Sequence, residues 1–426
     1  MRLSFLKSKE LKNAGWLIAG KVIQMVLSLI VGAWTARYLG PGDYGAINYG
    51  NSFVSFFMAF CTLGINSVII KEFSDKPEET GKILGSAIGM RIISSFLSAI
   101  LIIGIVAGID RDEPITIAVV ALCSISLLFH VLDTFNYWFQ YQYKSRVTAI
   151  ATLVAYIVIT IYRIVLLALG KGILWFAVAT SVDYVALGVV LYIAYKKHNG
   201  PPLEFSWITG KKLLRKSYHY ILSGMMVAIY VQTDKLMLKH MMDEASVGYY
   251  TAGSTISTVW VFVLAAIVDA MYPTIIRAAK ENKEVFLKKN RQLYAIVFYL
   301  SAAVSLGFLI FGDWAVKLMY GDAYAASAGV MKISVWCAGF SYLAVARGAW
   351  TVCEEKQKYL KYINVAIALL NVGLNAVLIP LWGVEGAAAA SLITQFFSCV
   401  GMPMLIKPMR PNAKLMLEAI MLKNIR

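Results

Sequence analysis

Long apolar runs recur along the whole chain and alternate with short polar segments. Each run has the length of about 20 residues that a helix needs to cross the hydrocarbon core of a bilayer. The runs lie at 13–38, 44–70, 83–107, 115–139, 147–169, 173–195, 217–238, 247–272, 293–311, 328–350, 360–381 and 386–406. This pattern predicts an all-α membrane protein with twelve transmembrane helices.

Polar residues recur at intervals of three and four in the first, second and eighth spans, so each set lies on one helix face. The three faces comprise Lys21, Gln24, Ser28, Gly32 and Thr35; Asn48, Asn51, Ser52, Ser55, Thr62 and Asn66; and Thr251, Ser254, Thr255, Thr258 and Asp269. Hydrocarbon disfavours such faces, which indicates a hydrated central cavity. The alternative is that these small and hydroxyl residues only pack helices together.

An internal repeat relates the two halves of the chain. An offset of 203 residues carries Gly45 to Gly248, Asn51 to Ser254 and Ser55 to Thr258. Six spans separate the copies, so both run in the same direction, and a pseudo-two-fold axis along the membrane normal is expected. The pattern predicts an N-lobe at 1–198, a cytoplasmic connector at 199–216 and a C-lobe at 217–426.

The connector mixes apolar and cationic residues. Its apolar side chains are Leu203, Phe205, Trp207, Ile208, Leu213 and Leu214, and its cations are Lys211, Lys212, Arg215 and Lys216. Such a segment can lie on the surface of an anionic leaflet. A hydrated link between the two lobes is the alternative.

The composition supports this organisation: 59% of the residues are hydrophobic, 15% are charged, and the formal net charge is +16. Most of the Lys and Arg residues fall in alternate loops, which predicts that both termini are cytoplasmic. Only Arg111, Lys171, Lys239 and Lys317 fall in the external loops. Cytoplasmic loops therefore explain the basic charge, and nucleic acid is not an expected partner. The first apolar run is too long for a signal-peptide core and is interpreted as a retained span.

Several charged residues lie inside the predicted spans, where each needs a partner, water or a task. Lys21, Arg91 and Lys235 are candidates to contact an anionic substrate. Asp234 and Asp269 are candidates to couple transport to an ion. Arg163 and Asp183 lie on consecutive antiparallel spans and are predicted to form a structural ion pair.

The chain carries no sequence motif for catalysis or for a cofactor. Phosphate-loop, HExxH and GxSxG patterns are absent, and the four histidines are scattered over different segments. The five cysteines are unpatterned and lie in or beside apolar segments. Neither a metal site nor ATP hydrolysis is expected, and transport must use a gradient or run downhill.

Short motifs in a fixed order give the chain a family resemblance. They are Asn13-Ala14-Gly15-Trp16-Leu17, Ala36-Arg37-Tyr38-Leu39-Gly40-Pro41, Asp43-Tyr44-Gly45, Gln232-Thr233-Asp234-Lys235-Leu236-Met237-Leu238, Val247-Gly248-Tyr249-Tyr250, Met319-Tyr320-Gly321-Asp322-Ala323-Tyr324, Ile379-Pro380 and Gly383-Val384-Glu385-Gly386-Ala387-Ala388. In these motifs the chain resembles the bacterial polysaccharide (Wzx-type) flippases of the MOP exporter superfamily, which translocate the lipid-linked oligosaccharides of O-antigen and capsule.

The resemblance implies two six-helix lobes around a cavity in the bacterial cytoplasmic membrane. It implies a cargo of undecaprenyl-diphosphate-linked oligosaccharide, with cationic cavity residues that contact the diphosphate. It also implies membrane lipid, a polysaccharide polymerase and a chain-length regulator as partners. The expected substrate-contacting residues are Lys21, Gln24, Asn48, Asn51, Ser55, Arg91, Lys235, Thr251, Ser254 and Thr258.

Two other functions compete with this reading. A cation-coupled multidrug exporter of the same superfamily has the same architecture, but an acidic cluster within one lobe would be expected there. A polymerase or ligase that acts on the outer face would be expected to have a large external loop. The longest predicted external loop is only 312–327, which disfavours the enzyme.

Overall fold

The computed structural model describes the backbone of residues 9–423 and the side chains from residue 24 onward, except those at 67 and 223. Over this range the chain is helical and has no strand. The helices are α1 (Lys9–Thr62), α2 (Ile69–Asp75), α3 (Thr80–Ile109), α4 (Pro114–His130), α5 (Thr134–Tyr141), α6 (Ser145–Ala168), α7 (Ile173–Ala177), α8 (Ala179–Lys197), α9 (Trp207–Met241), α10 (Glu244–Thr258), α11 (Val261–Glu281), α12 (Lys283–Tyr320), α13 (Ser327–Cys353), α14 (Leu360–Phe396), α15 (Met402–Leu405) and α16 (Arg410–Ile420).

The prediction of an all-α membrane protein is confirmed. Among the described residues, nine helical stretches are long and apolar enough to cross a membrane. Helix α1 contains the first predicted span and the second as far as Thr62, and it breaks at Gly40, whose φ is +77°. Helix α14 contains the eleventh predicted span and the twelfth as far as Phe396, and it breaks at Gly383, whose φ is +59°. Both breaks require a left-handed backbone, which glycine adopts without strain. Helices α10 and α11 share the eighth predicted span.

The chain forms two compact units. Unit 1 contains the residues up to Leu39 and Ala46–Ala228, and unit 2 contains Gly40–Gly45 and Ile229–Arg426. This division differs from the boundaries at 198 and 216 that the sequence suggests, because the segment after 199 and the start of α9 pack on unit 1. The Ser217 hydroxyl, for example, donates a hydrogen bond of 2.7 Å to the Leu63 carbonyl.

The core of unit 1 is built around aromatic side chains from α5 and α8. Phe135, Trp138 and Tyr195 pack on one another, with ring centroids 4.8 to 5.0 Å apart for the two pairs that involve Tyr195. Apolar residues of α2 and α3 and Leu213 of α9 complete this cluster. Large rings bury much area with few rotatable bonds, so this end of unit 1 is rigidly packed.

The core of unit 2 joins α11, α12, α13 and α14 around Tyr294 and Trp350. The C-terminal helix α16 packs on α12 rather than extending away from it. Arg291 forms an ion pair of 2.6 Å with Glu418, and the Tyr299 hydroxyl donates a hydrogen bond of 2.6 Å to the Ile420 carbonyl. The C-terminal helix is therefore an integral part of unit 2.

Candidate functional site

A buried carboxylate in unit 2 collects side chains from three helices. Asp234 of α9 is only 1% exposed. Its Oδ1 accepts hydrogen bonds from Asn375 (2.7 Å) and Asn371 (3.2 Å), both of α14. Its Oδ2 accepts one of 2.5 Å from the Tyr250 hydroxyl and another from the Ser391 hydroxyl. These five residues are called the Asp234 cluster below.

The sequence explains how α14 supplies three members of the Asp234 cluster. Asn371 and Asn375 are four residues apart and share a helix face. The break at Gly383 turns the second half of the helix back against the first. At Gly386 an added Cβ would lie only 2.0 Å from the Leu378 carbonyl oxygen. This backbone contact places Ser391 beside the two amides.

The Asp234 cluster provides oxygen ligands, and among the described residues no cation contacts the carboxylate directly, although the adjacent Lys235 interacts with it electrostatically. Among the described residues, none forms an ion pair within 4 Å of Asp234, and its four hydrogen-bond donors are all neutral. The Asn375 Oδ1 is buried and has no hydrogen-bond partner within the described part of the chain. An isolated buried anion is costly, whereas carboxylate, amide and hydroxyl oxygens are suitable ligands for a hard cation. The arrangement can hold a proton or a small monovalent cation.

The neighbouring candidates lie outside the Asp234 cluster. Lys235 is half-buried and follows Asp234 on α9, and successive helical residues diverge by about 100°. Asp269 of α11 is exposed on the surface of unit 2. Over residues 24–423, except 67 and 223, no group of three or more His, Cys, Asp or Glu residues is arranged to hold a metal. The two proposed ion-coupling aspartates therefore occupy different environments.

The polar faces are partly exposed within each unit. In unit 1, Gln24, Asn48 and Asn51 are half-buried and Ser55 is exposed, while the side chain of Lys21 lies outside the described residues. Ser52 is buried and donates to the Asn48 carbonyl at 2.8 Å. The accessible side chains therefore do not form one uninterrupted stripe.

The corresponding face of unit 2 is graded along α10. Thr251 is buried, Ser254 is half-buried and Thr258 is exposed. The hydroxyls of Ser254 and Thr258 donate to carbonyls of their own helix, at 3.1 Å for Ser254 and 3.2 Å for Thr258. Thr251 is packed too deeply to contact a ligand directly. The end of α10 at Thr258 also separates this face from Asp269.

Arg91 lies in the interior of unit 1, not on a polar face. It is 1% exposed, and its guanidinium donates to the Cys61 carbonyl (3.3 Å) and the Thr134 hydroxyl (2.7 Å). A third contact, of 2.9 Å, joins it to His130 Nδ1, which must accept and so leaves the proton on Nε2. Arg91 is therefore a structural crosslink, and the prediction that it contacts substrate does not fit its position.

Arg163 and Asp183 do not form the predicted ion pair. The two residues lie half-buried on α6 and α8, and no ion pair within 4 Å joins these two described side chains. Arg163 still acts electrostatically on Asp183. The two charges therefore interact without direct contact.

A second buried arginine supports an irregular helix in unit 2. Arg347 of α13 donates a hydrogen bond of 2.8 Å to the Ser398 carbonyl, within the π-helix Phe397–Gly401. A π-turn changes the backbone hydrogen-bond register, and the guanidinium satisfies one of the carbonyls there. The sequence gives Arg347 only as a charge inside a span.

Sequence analysis identified Asp234 but missed its four partners. Asn371 and Asn375 carry the clearest signal in the sequence, because two amides at an i, i+4 spacing interrupt the otherwise apolar stretch 365–382. Tyr250 and Ser391 are ordinary residues in their own segments. Only the fold brings them to the carboxylate.

Comparisons with known proteins agree with this architecture. A profile of the family described as "Polysaccharide biosynthesis protein" matches residues 11–279. The fold is similar to that of the lipid II flippase MurJ in an inward closed conformation, with a TM-score of 0.75 and 13% identity over 95% of this chain and 91% of that one. It is also similar to an inward-facing multidrug resistance MATE family transporter of the MOP superfamily, with a TM-score of 0.69 and 15% identity over 92% of this chain and 95% of that one. No curated protein sequence matches the chain.

Proposed function

Because the chain belongs to the polysaccharide biosynthesis protein family, we propose that it is a flippase for a lipid-linked oligosaccharide. It carries an undecaprenyl-diphosphate-linked repeat unit from the inner to the outer leaflet of the bacterial cytoplasmic membrane. The product feeds the assembly of a surface polysaccharide such as the O-antigen of lipopolysaccharide, capsule or exopolysaccharide, in which a polymerase and a chain-length regulator act next. The fold shared with a lipid II flippase and the family match support this function.

The oligosaccharide and its diphosphate need polar contacts on the transport route. The residues proposed for these contacts are Lys21, Gln24, Asn48, Asn51, Ser55, Lys235, Ser254 and Thr258. Arg91 and Thr251 are omitted from this set because both are buried within their units. Both lobes are proposed to contribute, by alternating access and without a catalytic step.

The Asp234 cluster is the observation that carries the coupling part of the proposal. A buried carboxylate surrounded by neutral donors changes its interactions strongly when a proton or cation arrives or leaves. Such a change can bias a helix packing equilibrium. In addition, each negative charge that moves outward is favoured by about 2.3 kcal/mol per 100 mV of membrane potential, so an anionic cargo draws on the potential directly.

A multidrug exporter is the second candidate, favoured by the likeness to the MATE family transporter. An ion site at Asp234 serves either function equally well. The cargo distinguishes them, because a drug exporter moves small cations and a flippase moves an amphiphile with an anionic headgroup.

The test uses proteoliposomes that contain the full chain and an undecaprenyl-diphosphate-linked oligosaccharide. A lectin outside the vesicles detects the translocated glycan, and a fluorescent cationic drug serves as the competing cargo. Translocation of the glycan but not of the drug is expected. Movement of the drug alone would assign the chain to the exporters.

The coupling is tested in the same vesicles with imposed potential, pH and Na⁺ gradients applied separately. Asp234→Asn keeps the size of the side chain but removes its charge, and Asp269→Asn is the matched control on the exposed surface of unit 2. Loss of the response to the pH or Na⁺ gradient is expected only in Asp234→Asn. If the translocation rate of the parent protein did not change with any of these gradients, the protein would be a passive flippase and the proposed coupling would be refuted.

A further inference from the structure

The segment that links α8 to α9 is fixed to one face of α3. Three glycines at four-residue intervals line that face, and the linker passes over them without regular secondary structure. An added Cβ would lie 2.2 Å from the Pro202 carbonyl oxygen at Gly81 and 2.5 Å from the Glu204 carbonyl oxygen at Gly85. At Gly89 it would lie 2.5 Å from the Phe205 ring. We call residues 201–206 the strap.

Hydrogen bonds hold the strap at both ends. The Tyr195 hydroxyl donates to the Pro201 carbonyl, and the Ser206 amide donates to the Ser86 hydroxyl at 3.0 Å. The first turn of α9 continues from this anchor. These contacts hold the backbone of the strap on α3, and they therefore determine which of its side chains face away from α3.

With its backbone held on α3, the strap and the first turn of α9 present apolar side chains outward. Leu203, Phe205 and Trp207 are all exposed, and Ile208 is 83% exposed. Phe205 and Trp207 lie side by side, with ring centroids 5.9 Å apart. A fully water-exposed cluster of this kind is disfavoured, which indicates that a lipid phase covers it.

The cations that follow divide into two pairs with different surroundings. Lys212 and Lys216 face the buried Glu72: Lys212 lies 3.9 Å from that carboxylate, and Lys216 is in direct contact with it. Lys211 and Arg215 are exposed too, but among the described residues neither forms an ion pair within 4 Å.

Lys211 and Arg215 follow Trp207 at four-residue intervals, in one row along α9. The Lys211 ammonium lies 5.9 Å from the centroid of the Trp207 ring. Glu204 is the one acidic residue in 201–216. The row therefore combines two cations with an aromatic side chain of the type found at the level of lipid headgroups.

We propose that the strap and the row Trp207, Lys211 and Arg215 form a binding surface for acidic phospholipids of the membrane leaflet that this end of unit 1 meets. The two cations take the phosphate of the headgroup, and Phe205, Trp207 and Ile208 enter the acyl boundary. The charge pattern predicts that this leaflet is cytoplasmic. The surface does not depend on the proposed cargo, since it would anchor unit 1 whatever the protein transports.

The test titrates the full chain in detergent with dioctanoyl phosphatidylglycerol. A bimane label at Ile208→Cys reports binding, in a chain in which Cys337 and Cys353, which are only half-buried, are changed to Ala. We expect a saturable blue shift that dioctanoyl phosphatidylcholine does not produce. Lys211→Gln combined with Arg215→Gln should weaken the apparent affinity on the order of thirtyfold at low salt, since each cation contributes about 1 kcal/mol.

Lys196→Gln combined with Lys197→Gln is the matched control, because it removes two exposed cations from the end of α8. It should leave the titration unchanged. Equal weakening in the control would show that binding depends only on the overall positive charge of the protein, which would refute the site. Unchanged binding in Lys211→Gln/Arg215→Gln would also refute it. If the double variant aggregates, Arg215→Gln alone should still weaken binding by about fivefold.

Two further ligands identify the source of the phosphate. Glycerol phosphate should not reproduce the blue shift, since it lacks acyl chains. Farnesyl diphosphate should compete no better than phosphatidylglycerol. If only the diphosphate lipid produced the blue shift, the surface would be a binding site for the lipid carrier of the cargo. The assignment to bulk phospholipid would then be wrong.

Discussion

Gly45 packs directly against the backbone carbonyl of Glu244, and an added Cβ there would lie 1.7 Å from the carbonyl oxygen. The contact is mirrored at Gly248, where a Cβ would lie 2.2 Å from the Pro41 carbonyl oxygen. The offset of 203 residues carries Gly45 to Gly248 and Pro41 to Glu244. The two contacts therefore exchange under the internal repeat, as in a self-complementary interface.

This crossing should not tolerate side chains. We expect Gly45→Ala and Gly248→Ala each to destabilise the protein by about 1–3 kcal/mol, because the backbone must move to admit a methyl group. Thermal unfolding in detergent measures the effect. Gly42→Ala is the control, since nothing lies within 4 Å of its Cβ position, and an equal loss there would contradict the explanation.

The Tyr250 hydroxyl should stabilise Asp234. Tyr250→Phe removes a hydrogen bond of 2.5 Å to the carboxylate, and hydrogen bonds to charged groups contribute about 1.5–3 kcal/mol. We expect a lower unfolding temperature, and we expect transport to depend differently on the concentration of the coupling ion. Tyr249→Phe removes a hydroxyl from the adjacent position and should have little effect on the ion dependence. If transport by the parent protein and by Tyr250→Phe depended on the ion concentration in the same way, Tyr250 would have no role in the coupling.

Arg91 and Arg163, two arginines inside predicted spans of unit 1, should differ in their effect on stability. Arg91→Ala leaves the Thr134 hydroxyl and His130 without their buried donor, which should cost about 1–3 kcal/mol. Arg163→Ala, at a half-buried position without a close ion pair, should cost less than about 1 kcal/mol. Thermal unfolding of both variants checks the difference, and equal losses would contradict the structural role of Arg91.

The strap should detach from α3 when a side chain is added to the glycine-lined face on which it lies. Gly85→Leu places a side chain where the Glu204 carbonyl lies, so limited proteolysis near residues 203–212 should become faster. Gly104→Leu lies on the same helix, where nothing approaches within 4 Å of the Cβ position, and it should leave the cleavage rate unchanged. Protection of the strap in Gly85→Leu would mean that α3 does not hold it.

The direction of insertion is tested by labelling in whole cells. Asp322 is exposed and pairs with Lys317 at 2.8 Å, in the loop predicted to be external. Asp322→Cys should react with an impermeant thiol reagent, and Lys283→Cys should react only after permeabilisation. The reverse pattern would invert the predicted topology.

The spans follow from the sequence because the thickness of a bilayer fixes their length, and glycines mark the two tight turns at Gly40 and Gly383. The Asp234 cluster does not follow in the same way. Asn375 lies 141 residues from Asp234, and no local pattern specifies which carboxylate an amide will meet. The strap is an intermediate case. The spacing of Gly81, Gly85 and Gly89 predicts a close contact but does not identify the partner, and the amphipathic pattern after 203 conceals a backbone that is held by α3.

The assignment of Gly40–Gly45 to unit 2 has a consequence for biogenesis. This turn leaves the ribosome about 200 residues before α10, which contains Gly248. At the usual rates of synthesis, about 5–20 residues per second, the delay is on the order of 10–40 s. During that time α1 must remain in the membrane with the Gly45 contact surface uncovered, so we expect insertion factors or chaperones to shield it until α10 arrives.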